Sequence, residues 1–301
     1  MSFHAGSVEH FLFRRNHLNE KELLQNQWLE HEEAVLKRKG GKRDLSQARH
    51  GAIPSVAKTG YITCMQLDIS NIAADFPDFR VATIIASGLE IVPERPAALD
   101  RFIEETEAEC RRRWAGFELS EIPGIAVWRR AYRQFGIKKT SYRCSVERLV
   151  KNVLADRALP RINSFVDAYN AISLAFVLPC GADDLDHVRG SVAFRYARPG
   201  DTFLDMSAEG QAQDDPPKTG EVVYADEEKV LCRRWNWRQD MRSLVTPQTR
   251  HALVTIQSNG EGELHTASDL LCDLLADHCG AACQVGFHGE TDDRPHQLPD
   301  G

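Results

Sequence analysis

Hydrophobic and polar positions change rhythm along this chain, and each change marks an element. The run FRVATIIA from Phe79 alternates and is rich in β-branched residues, which predicts a strand. A charged amphipathic pattern over about Ala97–Trp114 predicts a helix. IPGIAVWRRAYRQFG predicts another, with Pro123 suited to its first turn and Gly136 to its exit. Ser145 is placed to cap a helix through Val146–Asp156, with Glu147 near the positive end of its dipole, and Leu159-Pro160 ends that segment. The next helix, SFVDAYNAISLAFVL, starts at Asn163 or Ser164 and is apolar nearly all round, so it should be buried against a sheet.

Beyond Pro179 the pattern turns to strands: SVAFRYA, a PGD turn, TFLDM, a polar loop through AQDDPPKTG, the hairpin EVVYADEEKVLCRRWNW, and HALVTIQS. A last helix is expected over about Glu263–His278. Helices come mostly first and strands afterwards, which predicts an α+β fold, a mixed, largely antiparallel sheet packed with helices. Residues 1–64 read as an N-terminal extension, with an amphipathic helix over about Val8–Lys37 broken by KRKGGKRD; residues 65–280 form the domain, and 281–301 a flexible acidic tail.

Composition narrows the class. With 301 residues, 42% hydrophobic and 27% charged, the chain can bury a full core as one large domain or one domain plus extensions. It has no run of about 18 apolar residues and MSFHAGSVEHFLFRR lacks a signal-peptide core, so a soluble, cytoplasmic protein without a membrane span is expected. The eight cysteines include no CxxC pair and read as reduced core thiols. A zinc site from Cys272, Cys279, Cys283 and His278 or His288 lacks the paired knuckles such sites use, so neither metal nor cofactor is expected. The net charge of −7 hides a basic stretch: Arg111–Lys151 holds eleven Lys/Arg against three acids. Either it is a solvated helical face or it meets a phosphate backbone, in which case Arg129, Arg130, Arg133, Lys138 and Lys139 are the candidate RNA contacts.

Two stretches are chemically loaded. If CRRWNWR (232–238) is extended, Cys232, Arg234, Asn236 and Arg238 point one way, and Arg233, Trp235 and Trp237 the other. The first face would bind a carboxylate or phosphate; the second would be core or would stack on a base. Equally, the tryptophans close the core and the arginines cover the strand edge. In RINSFVDAYNAISLAFVLPCGADDLD, Asn163, Asp167 and Asn170 fall on one stripe of the predicted helix. That stripe needs polar partners, either a ligand or a structural network, and Asp167 is expected beside Arg234 and Arg238. No G-x-S-x-G, P-loop, GxGxxG or HExxH is present, and His187 and His251 are the imidazoles in reach of this constellation.

Together RINSFVDAYNAISLAFVLPCGADDLD, GEVVYADEEKVLCRRWNW and VTPQTRHALVTI resemble the B3/B4 domain of the phenylalanyl-tRNA synthetase beta subunit, above all its stand-alone members, over roughly Gly124–Gln257. In synthetases this domain hydrolyses tyrosine wrongly attached to the phenylalanine tRNA. The resemblance therefore implies binding of an aminoacylated tRNA acceptor end, and ester hydrolysis. By the same resemblance Asn170 matches a pocket asparagine and Pro179 the proline before a pocket histidine. Gly181 stands where that histidine would be and Tyr169 where a threonine is usual, and the glutamate that reads the tyrosine hydroxyl has no counterpart near Met241–Ser243. An aminoacyl ester is already activated, so a pocket that orients a water and supplies donors suffices. The expectation is a trans-acting deacylase in which Asn170 orients ester or water, and Asn163, Asp167, Arg234, Asn236 and Arg238 bind substrate. The alternatives are a non-catalytic RNA-binding module and an amino-acid sensor using the same pocket.

Overall fold

The structure, a computed structural model, describes residues 66–138, 142–206 and 210–289. The extension of residues 1–64, Lys139 and the end of the tail lie outside the described residues. In chain order the elements are β1 (Leu67–Asp68), α1 (Ser70–Ala73), β2 (Phe79–Ser87), α2 (Ala97–Trp114), α3 (Pro123–Gln134), α4 (Ser145–Leu154), α5 (Ser164–Phe176), β3 (Cys180–Asp184), β4 (Val192–Tyr196), β5 (Leu204–Met206), β6 (Ala212–Asp214), β7 (Val222–Ala225), β8 (Val230–Arg233), β9 (Arg238–Gln239), β10 (His251–Asn259), α6 (Leu264–Cys279) and β11 (Ala282–His288).

The strongest alternation in the sequence builds the middle of a four-stranded sheet, ordered β11-β2-β10-β3 and antiparallel throughout. On one face Ala82, Ile84 and Ala86 of β2 meet Ala252, Val254 and Ile256 of β10 and Ala182 of β3, all buried. Helices α5 and α6 cover this face, as the apolar surface of α5 requires. Burying each isoleucine or leucine there stabilises by about 1.5–3 kcal/mol.

A five-stranded sheet, β1-β4-β7-β8-β9, is antiparallel except where β1 runs parallel to β4. It meets the opposite face of the first sheet through an aromatic cluster. Trp235 packs edge-on against Phe76, Phe79 and Trp128 at centroid distances of 4.6, 4.9 and 5.2 Å, and Phe194 joins Phe79 at 5.0 Å. Such pairs add about 0.5–1.5 kcal/mol each beyond area burial. The fold is α+β, as expected.

Several local expectations are corrected. Ser145 is the first helical residue of α4 rather than its cap; Cys144 stands at the cap position and makes no side-chain capping bond. Residues 282–288, expected to open a flexible tail, form edge strand β11 on β2. CGADD, to which the sequence reading assigns no element, is edge strand β3.

Candidate functional site

CRRWNWR is not extended. β8 ends at Arg233, β9 begins at Arg238, and residues 234–237 form the hairpin turn between them. Arg234 and Trp235 take left-handed backbone, with φ of +47° and +67°. That conformation costs a non-glycine residue about 1–2 kcal/mol. The period-two row of Arg234, Asn236 and Arg238 is therefore not formed. Trp235, 0% exposed, plugs the aromatic cluster. Arg233 is a buried structural residue: its Nε and Nη2 donate to the two oxygens of Glu221, each at 2.9 Å.

Asn236 is buried and saturated. Its Oδ1 accepts from the Tyr132 hydroxyl at 2.9 Å and its Nδ2 donates to Gln257 Oε1 at 3.1 Å, while Gln257 Nε2 donates to Thr255 Oγ1 at 3.2 Å. The relay ties α3 and the hairpin to β10. Arg238 is ion-paired with Asp205. Arg234 differs: 5% exposed, it lies between the rings of Tyr142 and Trp237, 3.8 and 4.2 Å from their centroids.

The helical stripe also serves the fold. Asn163 caps α5, its Oδ1 accepting from the Val166 amide at 2.9 Å. Asp167 pairs with Arg95, not with Arg234 or Arg238, at 2.8 Å, and accepts from the Ile162 amide at 3.0 Å. No hydrogen bond or ring contact joins Asn170 to the hairpin; its half-buried carboxamide makes no side-chain hydrogen bond among the described residues. Three of the residues expected to meet a ligand, Asn163, Asp167 and Asn236, thus spend their polar atoms on structural partners.

A different set of groups converges on the second face of the four-stranded sheet, beyond the aromatic cluster. Gly181 and Asp183, two apart on β3, project to that face. Their register partners on β10 are Thr255 and Leu253, and on β2 Thr83 and Ile85 continue the rows. Thr83 and Ile85 are half-buried, and a Cβ added at Gly181 would have no atom within 4 Å, so space lies open over β3 here.

Asp183 is 4% exposed, and its Oδ1 accepts from Ser243 Oγ at 2.6 Å and Gln239 Nε2 at 2.9 Å. Burial outweighs these bonds and lifts its pKa from 3.8 to about 7. Around it, burial raises the pKa of Tyr169, Tyr224 and Cys232, and proximity to Asp183 reinforces each shift. The buried Tyr224 hydroxyl has no hydrogen-bond partner among the described residues. His187 lies elsewhere: it is exposed, 3.6 Å from Asp184, and lines an open cleft of about 260 Å³ with Arg189, Glu228, Lys229 and Arg242. His251 is two residues from Leu253, the register partner of Asp183, and so on the same face of β10.

On α3, Arg129 is tied to buried Glu147, its Nη2 at 2.7 Å. Arg130 and Arg133, one turn apart on the same helix, are exposed, as is Lys138, and none of them has an ion-pair partner among the described residues. The Cys272 and Cys283 thiols approach each other and Ser164 Oγ lies 3.2 Å from Cys279 Sγ. Among the described residues no three His, Cys, Asp or Glu side chains converge as a metal site, and no helix is long and apolar enough to cross a membrane.

These features define an α+β domain in which two sheets share an aromatic seam and leave a polar patch around a buried carboxyl. A family model described as "B3/4 domain" matches residues 127–280, half of the chain, and the chain belongs to that family. The matched span omits β2 and β11, two of the four strands in the helix-covered sheet. No curated protein matches. Among solved structures, the chain is similar to an N-terminal fragment of the phenylalanyl-tRNA synthetase beta-subunit from Pyrococcus horikoshii, at 12% identity and a TM-score of 0.35, over 73% of this chain and 52% of that one. The chain thus spans about half the length of that fragment.

Proposed function

We propose that the chain binds the aminoacylated end of a tRNA and hydrolyses the ester of a wrongly attached amino acid. The observation that carries this reading is Asp183: a buried carboxyl titrating near neutrality, on the same face of β3 as the open space over Gly181. Membership of the B3/4 family and the resemblance to the editing domain supply the substrate class. A carboxylate whose pKa lies near the working pH is matched to general-base catalysis, so Asp183 takes the proton of a water attacking the ester carbonyl. Ser243 and Gln239 fix its orientation through Oδ1 and leave Oδ2 for the water. The exposed Arg130, Arg133 and Lys138 contact tRNA phosphates.

Filter binding of charged and uncharged tRNA at several salt concentrations tests the binding half. Replacing Arg130, Arg133 and Lys138 together by glutamine should weaken tRNA binding and lower the salt slope by about 2–3. An unchanged slope removes this face from the reading. A second reading, a binding module without hydrolysis, is favoured by the structural hydrogen bonds and ion pair that Asn163, Asp167 and Asn236 make. It predicts tRNA binding of the same strength with no release of amino acid.

A further inference from the structure

The hairpin buries an arginine whose side-chain donors are not matched by acceptors. Arg234 sits in left-handed backbone, and its Nε and Nη1 are buried without a hydrogen-bond partner among the described residues. Desolvating a cation in this way is costly unless the charge is matched. The surrounding acids are committed elsewhere. Glu221 gives both oxygens to Arg233, Asp215 also pairs with Arg233, and Asp205 pairs with Arg238. Among the described residues the carboxylate oxygen that pairs with Arg234 is Glu221 Oε2, 4.0 Å from Nε.

What holds the guanidinium is two rings, Tyr142 at 3.8 Å and Trp237 at 4.2 Å, with Tyr142 edge-on to Trp237 at 5.1 Å. Stacking fixes its plane but leaves its donors unused. The guanidinium of Arg238 lies 4.8 Å from the centroid of the same indole. Two guanidinium groups therefore flank one ring, with Asp205 neutralising only one of them.

We propose that Arg234, clamped by Tyr142 and Trp237 and seconded by Arg238, is a phosphate-binding site. A guanidinium with unused donors, with a second positive charge over the same indole, suits a phosphate, with its several oxygens and higher charge, better than a single carboxylate. A phosphodiester near a tRNA end and free phosphate offer the same chemistry. Only the choice of RNA as the source rests on the function proposed above; the site itself does not. Arg234 is kept at the expense of backbone strain because it completes this site, in line with strain collecting where function needs it.

The test reads Trp237 fluorescence in the full chain as the difference from the Trp237→Phe variant, which keeps a ring in the stack. The titrants are inorganic phosphate, a short RNA ending in CCA, and acetate at matched ionic strength. Phosphate and RNA should change the signal and acetate should not. Arg234→Gly, which adopts the same φ without strain, should bind both phosphate and RNA about tenfold more weakly while its thermal midpoint stays within about 4 °C. Equal phosphate binding by Arg234→Gly and the parent chain overturns the site, whatever RNA does. A response to phosphate but not to RNA upholds the site and removes tRNA as its source. Should Arg234→Gly fail to fold, the parent titration decides: a response to phosphate absent with acetate supports the site, and no phosphate response, or an equal response to acetate, overturns it.

Discussion

Replacing Asp183 with asparagine removes one titrating group while keeping the shape that its neighbours bind. Ser243 and Gln239 both donate to Oδ1, and an asparagine that keeps Oδ1 in place can accept from both. The folded chain holds the Asp183 proton up to about pH 7, chiefly because burial disfavours the charge, against an ordinary value of 3.8. In the unfolded chain the group ionises near its ordinary value. Stability from this residue is therefore fully present below about pH 4 and is lost as pH rises through about 7. With about 1.4 kcal/mol for each tenfold difference in proton affinity, the loss amounts to about 4 kcal/mol. Urea unfolding of both proteins between pH 4 and pH 8.5 reads it out, and subtracting the two curves cancels the titration of every other carboxyl. The Asp183→Asn chain should gain on the parent by several kcal/mol across that range, most of it between pH 4 and 7. A difference curve that stays flat refutes a buried, near-neutral carboxyl at this position.

Arg95→Ala should destabilise by about 3–5 kcal/mol in urea unfolding, because it strands the Asp167 carboxylate inside the fold; a loss under about 1 kcal/mol contradicts that pairing. Asn163→Ala should cost about 1 kcal/mol through the lost α5 cap and leave tRNA binding unaltered in the filter assay, which separates its structural role from a ligand contact. Trp235→Ala should cost about 3–5 kcal/mol, since its side chain joins the two sheets; a loss near zero would mean that the turn does not plug the seam.

Helical periodicity was easy to read where it was long and bounded. The sequence places a helix over about Ala97–Trp114 and a start at Asn163 or Ser164, and the structure has α2 at those bounds and α5 from Ser164 with Asn163 as a bonded cap. CRRWNWR misled for a physical reason. Period two assumes that each residue keeps β backbone, but burial of Trp235 among Phe76, Phe79 and Trp128 outweighs the strain of two left-handed residues. Partners distant in sequence decide the rest: Arg95 for Asp167, and Gln257 with Tyr132 for Asn236, leave no local pattern. Asp183 was missed because CGADD carries no strand signature; β3 exists through its pairing to β10. The visible clue was the small residue at Gly181, which the resemblance marked as a pocket position and the structure leaves open.

Release of amino acid from a panel of charged tRNAs, measured for the full chain beside Asp183→Asn, tests the central claim most directly. The account predicts faster release from at least one aminoacyl-tRNA, a rate that climbs with pH through about 7 as Asp183 ionises, and a loss of about 10²-fold or more in the variant. No acceleration on any charged tRNA, or equal rates with and without the carboxyl, would contradict it.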